Sequence, residues 1–272
     1  MSDKFRPNEP GLLVVFMEPG ELVNLTEFHE WYDSEHVPLR IERFPTFRSA
    51  VRYSVPNTTL SPIQGNAPGS SWGAFYTISD NSVFSDSSYT NLRSQRSQRE
   101  AELFTRLAII DRRIYKLEYD SDWDDNIKMD RKKLGLKVQT QKDTPRYLVT
   151  NSIDIKDEWK QEYDTWFQEE HVPMLSKIKG WRRSRRFTLV DNGVNGREAK
   201  PSDADNVPKV MGMHEESAEF KAATNTPWRT KVMGENNSNV IRRERKVCTL
   251  YRAWDPIAAL NADQQVDPEQ AK

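Results

Sequence analysis

One eight-residue pattern, W-x-x-x-E-H-V-P, occurs twice in this 272-residue chain, first from Trp31 to Pro38 and again from Trp166 to Pro173. Each copy carries one of the chain's four histidines. A pattern this specific does not recur by chance, so a duplicated folding unit is sought around it. Ahead of the first copy, GLLVVFMEP is a short valine-rich run ending at a Pro-Gly turn, which predicts a strand. Asn24 or Thr26 can cap the helix that follows. Its Leu25, Phe28, Trp31 and Tyr32 recur at three- and four-residue spacing along one face. Val37 precedes Pro38 and is therefore disfavoured in the α region, so the helix is expected to end near His36. FRSAVRYSV and WGAFYTIS then read as strands, residues 82–107 as one long helix, and RRIYKLEYD as a closing strand.

The second half repeats this β-α-β-β-α-β order around its own octet. The first unit is expected over 11–120 and the second over 145–255. A charged, weakly periodic linker is expected at 121–144 and a polar tail at 256–272. In both halves the second and third strands are joined by a long connection, 56–71 and 191–206. Loops of that length suit mobile flaps over a site. A β-α-β-β-α-β unit predicts an α+β, ferredoxin-like sheet with both helices on one face. Its bare face needs cover, and a second unit packed sheet to sheet would give an intramolecular α/β barrel around a central space.

Several function classes are excluded. Lys and Arg number 40 against 41 Asp and Glu, so no global field attracts nucleic acid or an anionic membrane. WRRSRRF and VIRRERKV are basic, but no RNP-like aromatic strand or zinc pattern accompanies them. The single Cys248 allows no internal disulfide and fits a reducing compartment. No signal peptide and no membrane-length apolar run is seen, which points to the cytoplasm. The mean hydropathy of -0.83 reflects polar loops and tails. There is no H-x-x-x-H pair, G-x-S-x-G elbow, P-loop or G-x-G-x-x-G fingerprint, so neither a metal nor an organic cofactor is expected. The expected partner is a small-molecule substrate, and two tandem chains could associate further as a homodimer.

The octet at the end of the first helix, followed by FPTFRSAVRY or IKGWRRSRRF, resembles the EthD-like branch of the dimeric α/β-barrel superfamily, here in tandem form. The resemblance spans both units, and the octet is its only sharp motif. It implies a barrel built as a pseudo-dimer. Relatives include aromatic polyketide cyclases, anthrone-type oxygenases or decarboxylases, and muconolactone isomerases, several of which act without metal or organic cofactor. In the isomerases a histidine at the place of His36 and His171 is implicated in proton transfer. Other branches bind haem through a histidine, and a non-catalytic ligand-binding or stress-related barrel is a further alternative.

Imidazole titrates near neutrality, and a helix C-terminus favours its protonated form, so His36, and after it His171, is expected to act as a general acid. The alternative is a purely structural ring that terminates the helix. Tyr32 lies four residues before His36 and could orient it, whereas Phe167 holds that place in the second half. Trp31 and Trp166 are expected to anchor the helix or contact substrate. Arg52 and Arg186 are candidates to bind a substrate carboxylate or phenolate, the alternative being ion pairs to the helices. Tyr53, and Tyr76 on the next strand, could donate to an enolate oxygen. His29 is expected at the surface, and His214 has no apparent counterpart in the first half. The function expected from these parts is cofactor-independent cyclisation, isomerisation or decarboxylation of a small aromatic or polyketide-like acid within the barrel.

Overall fold

The computed structural model of the chain describes residues 4–60, 69–136, 144–216, 226–259 and 261. Its elements, in order, begin with β1 (Gly11–Glu18), α1 (Leu25–Trp31), α2 (Pro38–Ile41), β2 (Ala50–Leu60) and β3 (Trp72–Ile78). Next come α3 (Ser87–Thr90), α4 (Gln98–Arg106), β4 (Ile109–Asp120) and α5 (Asp125–Lys133). The second half supplies β5 (Tyr147–Ile155), α6 (Lys160–Trp166), α7 (Val172–Ser176), β6 (Trp181–Asn195), β7 (Val210–Glu216), α8 (Pro227–Met233) and β8 (Val240–Trp254). No helix among the described residues is long and apolar enough to cross a membrane.

The eight strands close into one antiparallel barrel in the order β1-β3-β2-β8-β5-β7-β6-β4. The two halves join edge to edge, β2 against β8 and β4 against β6, so the barrel closes without a free edge among the described strands. β1 is apolar throughout because it is covered on both sides. Leu12, Val14 and Phe16 point into the barrel, while Leu13, Val15 and Met17 pack under the helices of the first half.

Among the described residues, side chains fill much of the expected central space, and what remains of it opens at one mouth of the barrel. Phe16, Tyr53, Phe75, Phe187, Met211 and Met213 meet across its interior. Beside them Arg113, fully buried, donates to Asp111 at 2.6 Å and to Glu244 at 2.8 Å. Lys246 pairs with the same Glu244 at 3.4 Å and lies 4.7 Å from the centre of the Phe16 ring. Two cations and two carboxylates balance there. Burial alone would raise the Glu244 pKa, but Arg113 and Lys246 hold it down to about 2.

Three sequence expectations are corrected. The first helix does not stop at His36. Residues Tyr32–His36 form a π-turn, Val37 takes helical angles (φ -73, ψ -51), and its amide donates to Tyr32 O at 3.0 Å. Pro38 then opens α2 at a position where its missing N–H costs nothing. The long helix over 82–107 is instead a series of short turns, because Asp80, Asp86 and Ser97 each take the backbone amide of a following residue and restart the chain. Within the stretch read as a linker, Asp124 caps α5, Ile127 is buried in the core of the second half, and Arg131 lies over Trp181 at 4.9 Å.

The long connection in the second half is no free flap either. β6 runs on to Asn195 against β4, and the amides of Arg197 and Glu198 donate to Leu107 O and Ala108 O. Gly196 permits this approach at φ +118, where a Cβ would stand 2.2 Å from Ala108 O. The tip of the first-half connection, 61–68, lies outside the described residues, as does most of the tail.

Candidate active site

The octet builds its own platform. Residues five apart diverge around an α-helix, but a π-turn returns them to one face. The His36 ring therefore lies 4.6 Å from the Trp31 ring and 4.9 Å from the Tyr32 ring, centre to centre. In the second half, residues Phe167–His171 form the same turn, and His171 stacks on Trp166 at 4.7 Å. The glutamate of each octet does something different. Glu35 accepts from the Ser97 hydroxyl, and Ser97 caps α4 by accepting from the Glu100 amide at 2.9 Å. Glu170 accepts from Thr226 at 2.5 Å, and Thr226 caps α8 by accepting from the Arg229 amide at 3.0 Å. In both halves the octet thus fastens the first helix to the N-terminus of the second, and the third residue of that second helix is brought towards the imidazole.

In the first half this residue is Glu100. His36 Nδ1 lies 3.2 Å from Glu100 Oε1, both side chains being buried. Burial, and after it the Arg40 guanidinium, outweigh Glu100 and hold the His36 pKa at about 4. The expectation of a protonated general acid is corrected: His36 is neutral near pH 7. With Nδ1–H donated to the carboxylate, Nε2 keeps its lone pair, which is the arrangement of a general base.

His36, Arg40 and Glu100 line a cavity of about 710 Å³ between the helices and the outer face of the sheet, not inside the barrel. The rings of Phe5, Phe84, Tyr89 and Phe104 and the aliphatic side chains of Leu13, Val15, Ile110 and Ile114 form its apolar walls. Arg93, Arg96 and Arg112 add charge to the lining, against two carboxylates among the described residues, Glu100 and Asp191. Arg96 lies over Phe104 at 4.3 Å and Arg112 over Phe84 at 5.5 Å. Arg40 Nη1 donates to His36 O at 2.6 Å, and among the described residues no carboxylate forms an ion pair with Arg40. An aromatic body with an anionic group matches such a lining.

The other sequence candidates fall elsewhere. Trp31, Tyr32 and Tyr76 are buried in the core between helices and sheet and do not line the cavity. The Tyr32 and Tyr76 hydroxyls are within electrostatic reach of each other but outside good hydrogen-bond geometry. Tyr32 makes ring contact with His36 and no hydrogen bond to it. Arg52 is not available to substrate: it pairs with Asp33, meets His29 Nδ1 at 3.0 Å and lies over the Tyr32 ring at 4.2 Å. His29 is accordingly half-buried, stacked on Tyr251 at 4.6 Å, and is not a free surface residue. Arg186 is likewise held by Asp164 at 3.1 Å, the ion-pair alternative. Tyr53 points to the opposite side of the sheet, where its hydroxyl donates to Pro145 O at 3.2 Å.

The second half keeps the scaffold and changes the chemistry. Leu13 pairs with Tyr76 as Val149 pairs with His214, so His214 does have a first-half counterpart, Tyr76. Arg229 stands at the position of Glu100, third in its helix after the capping residue. Burial and then Arg229 hold the His171 pKa at about 4, and His171 Nδ1 has no hydrogen-bond partner among the described residues. His214 accepts or donates at Nδ1 with Ser184 Oγ, 2.9 Å away. His171 therefore lacks the carboxylate that orients His36. Sequence reasoning missed Arg40 and Glu100. Arg40 follows His36 by one helical turn, a usable signal; Glu100 carries none.

No family model matches the sequence, and no curated protein sequence matches it. Among solved structures, an anthrone oxidase-like protein superposes with a TM-score of 0.53 at 10% identity, covering 92% of this chain and 94% of that one. A protein provisionally named a monooxygenase from Fusobacterium nucleatum gives 0.49 at 10% identity over 91% and 94%. One provisionally named a chlorite dismutase gives 0.46 at 11% over 95% and 100%. The first of these likenesses is one of fold: the chain shares the α/β barrel of the anthrone oxidase-like structure over nearly its whole length.

Proposed function

We propose that this chain is an intramolecular counterpart of an EthD-like dimeric α/β barrel, with ferredoxin-like units over 11–120 and 145–255, and that its first half is a cofactor-independent enzyme acting on a small aromatic or polyketide-like acid. One observation carries the reading: a neutral imidazole, oriented by a buried carboxylate, on the wall of an aromatic and cationic cavity. His36 Nε2 takes a proton from the carbon next to a substrate carbonyl. The negative charge that develops on the substrate oxygen is met by Arg40, and Glu100 stabilises the imidazolium that forms. Return of the proton at another carbon gives isomerisation; attack of the carbanion on a second carbonyl gives cyclisation. For a β-keto acid Nε2 instead takes the carboxyl proton as carbon dioxide leaves and returns it to the carbon that lost the carboxyl group. The name of the anthrone oxidase-like neighbour supports a polycyclic phenolic substrate.

The test is turnover on a panel of anthrone-type and polyketide-like acids. General acid–base help contributes about 10²–10⁴-fold, so His36→Ala is expected to lose at least ten-fold while His171→Ala keeps its rate. Unchanged turnover in the first variant removes His36 from the mechanism.

The His36–Glu100 pair also favours a second reading, because an imidazole whose other nitrogen is held by a carboxylate is an arrangement that suits a metal ligand. Haem would then be held through His36, with the cavity arginines beside its propionates, and would supply one-electron or oxygen chemistry. A Soret band on haem titration that His36→Ala abolishes selects this reading; its absence selects the first.

A further inference from the structure

The arginines of WRRSRRF take no part in the helix-side cavity, and three of them gather on the other side of the sheet. At one mouth of the barrel a second cavity, of about 370 Å³, is bounded by both halves of the chain. Its rim carries Arg48 from the approach to β2 and Arg182, Arg183 and Arg185 from β6, against two carboxylates, Asp122 and Glu215. Its floor is apolar: Leu12, Val51, Phe75, Leu148 and Met213. Arg183 is held between Asp120 at 2.8 Å and Asp122 at 3.2 Å, so its charge is already met. Arg185 differs. It is 7% exposed, one amino group pairs with Glu215 at 2.5 Å, and its Nε–H has no acceptor among the described residues. A buried guanidinium N–H without an acceptor is costly unless a ligand or water supplies one.

We infer that the barrel mouth is a second ligand site, for a small carboxylate with an apolar body, whose carboxylate meets the arginine rim at Arg185 and Arg182 and whose body rests on Val51, Phe75 and Met213. The cavity has room for a single ring or a short branched chain. Tyr53 shapes the site by holding Pro145 at its edge. The site lies across the sheet from His36, so occupancy of one does not require occupancy of the other.

Benzoate is the probe, and methionine methyl NMR on the full chain separates the two cavities, since Met213 lines the barrel mouth and Met17 the helix-side cavity. Benzoate is expected to shift the Met213 methyl saturably, with benzyl alcohol at least ten-fold weaker. Arg182→Gln, on the half-exposed rim, is expected to weaken benzoate at least ten-fold; Val51→Phe, which fills the floor, should abolish the shift while the thermal melt persists. Three results each overturn the inference: a Met213 methyl unmoved by benzoate while Met17 moves, equal binding of benzyl alcohol, or an Arg182→Gln affinity equal to that of the parent chain.

Discussion

Replacing His36 with glutamine tests the electrostatic description of the site without needing a substrate. An ordinary histidine titrates near 6.5, whereas burial and Arg40 hold His36 at about 4. A base whose folded pKa is depressed is neutral in the fold and gains its proton first in the unfolded chain. Its contribution is fully present above pH 6.5 and is lost as the pH falls towards 4. The full interval corresponds to about 3.4 kcal/mol, and between pH 7 and pH 5 about 2 kcal/mol of it is lost. Urea unfolding of the parent chain and His36→Gln at both pH values gives the difference directly. The parent should lose about 2 kcal/mol more than the variant between pH 7 and pH 5, whatever the other histidines contribute to both. Equal losses would show that His36 titrates near its ordinary value, and the depression assigned to burial and Arg40 would then fall.

Two further outcomes follow from the same structure. Glu100→Gln keeps the size of the side chain but removes the charge that stabilises the imidazolium, so kcat should drop about 10-fold or more with KM little changed; an unaltered kcat removes Glu100 from the site. Arg113→Met leaves Asp111 inside the barrel without its cation and Glu244 with Lys246 alone, and should cost about 3–5 kcal/mol in urea unfolding at pH 7, with partial recovery in acid; a loss below about 1 kcal/mol would contradict the closed charge network.

The repeat was legible from its octet, and β1 from being covered on both faces and so reading as an apolar run, whereas β6 and β8 carry charges along partly exposed strands. Helix continuity was not. The rule that disfavours helical angles before proline holds for an ordinary turn, and the π-turn at Tyr32–His36 escapes it by closing a wider ring ahead of Pro38. The breaks in 82–107 were written in Asp86 and Ser97, but capping residues also occur on the exposed faces of unbroken helices. Within the site, His36 stood out because histidines are few. Its partner Glu100 is one of 41 acidic residues and becomes special only when Glu35 fastens Ser97, a contact between segments far apart in the chain. Strand phase decided the rest: Arg52 and Arg186 point under the helices, Tyr53 points into the barrel, and alternation alone cannot say which face is which.

In a barrel made from two identical chains, every substitution would appear at both ends of the twofold axis. Joining the halves in one polypeptide lifts that constraint. Here Tyr76 holds the strand position that His214 holds in the other half, and a carboxylate and a guanidinium occupy the matching turn of the second helix. Selection can therefore sharpen the surroundings of one imidazole for a particular molecule and let those of the other drift, or take up another purpose, without the first being altered.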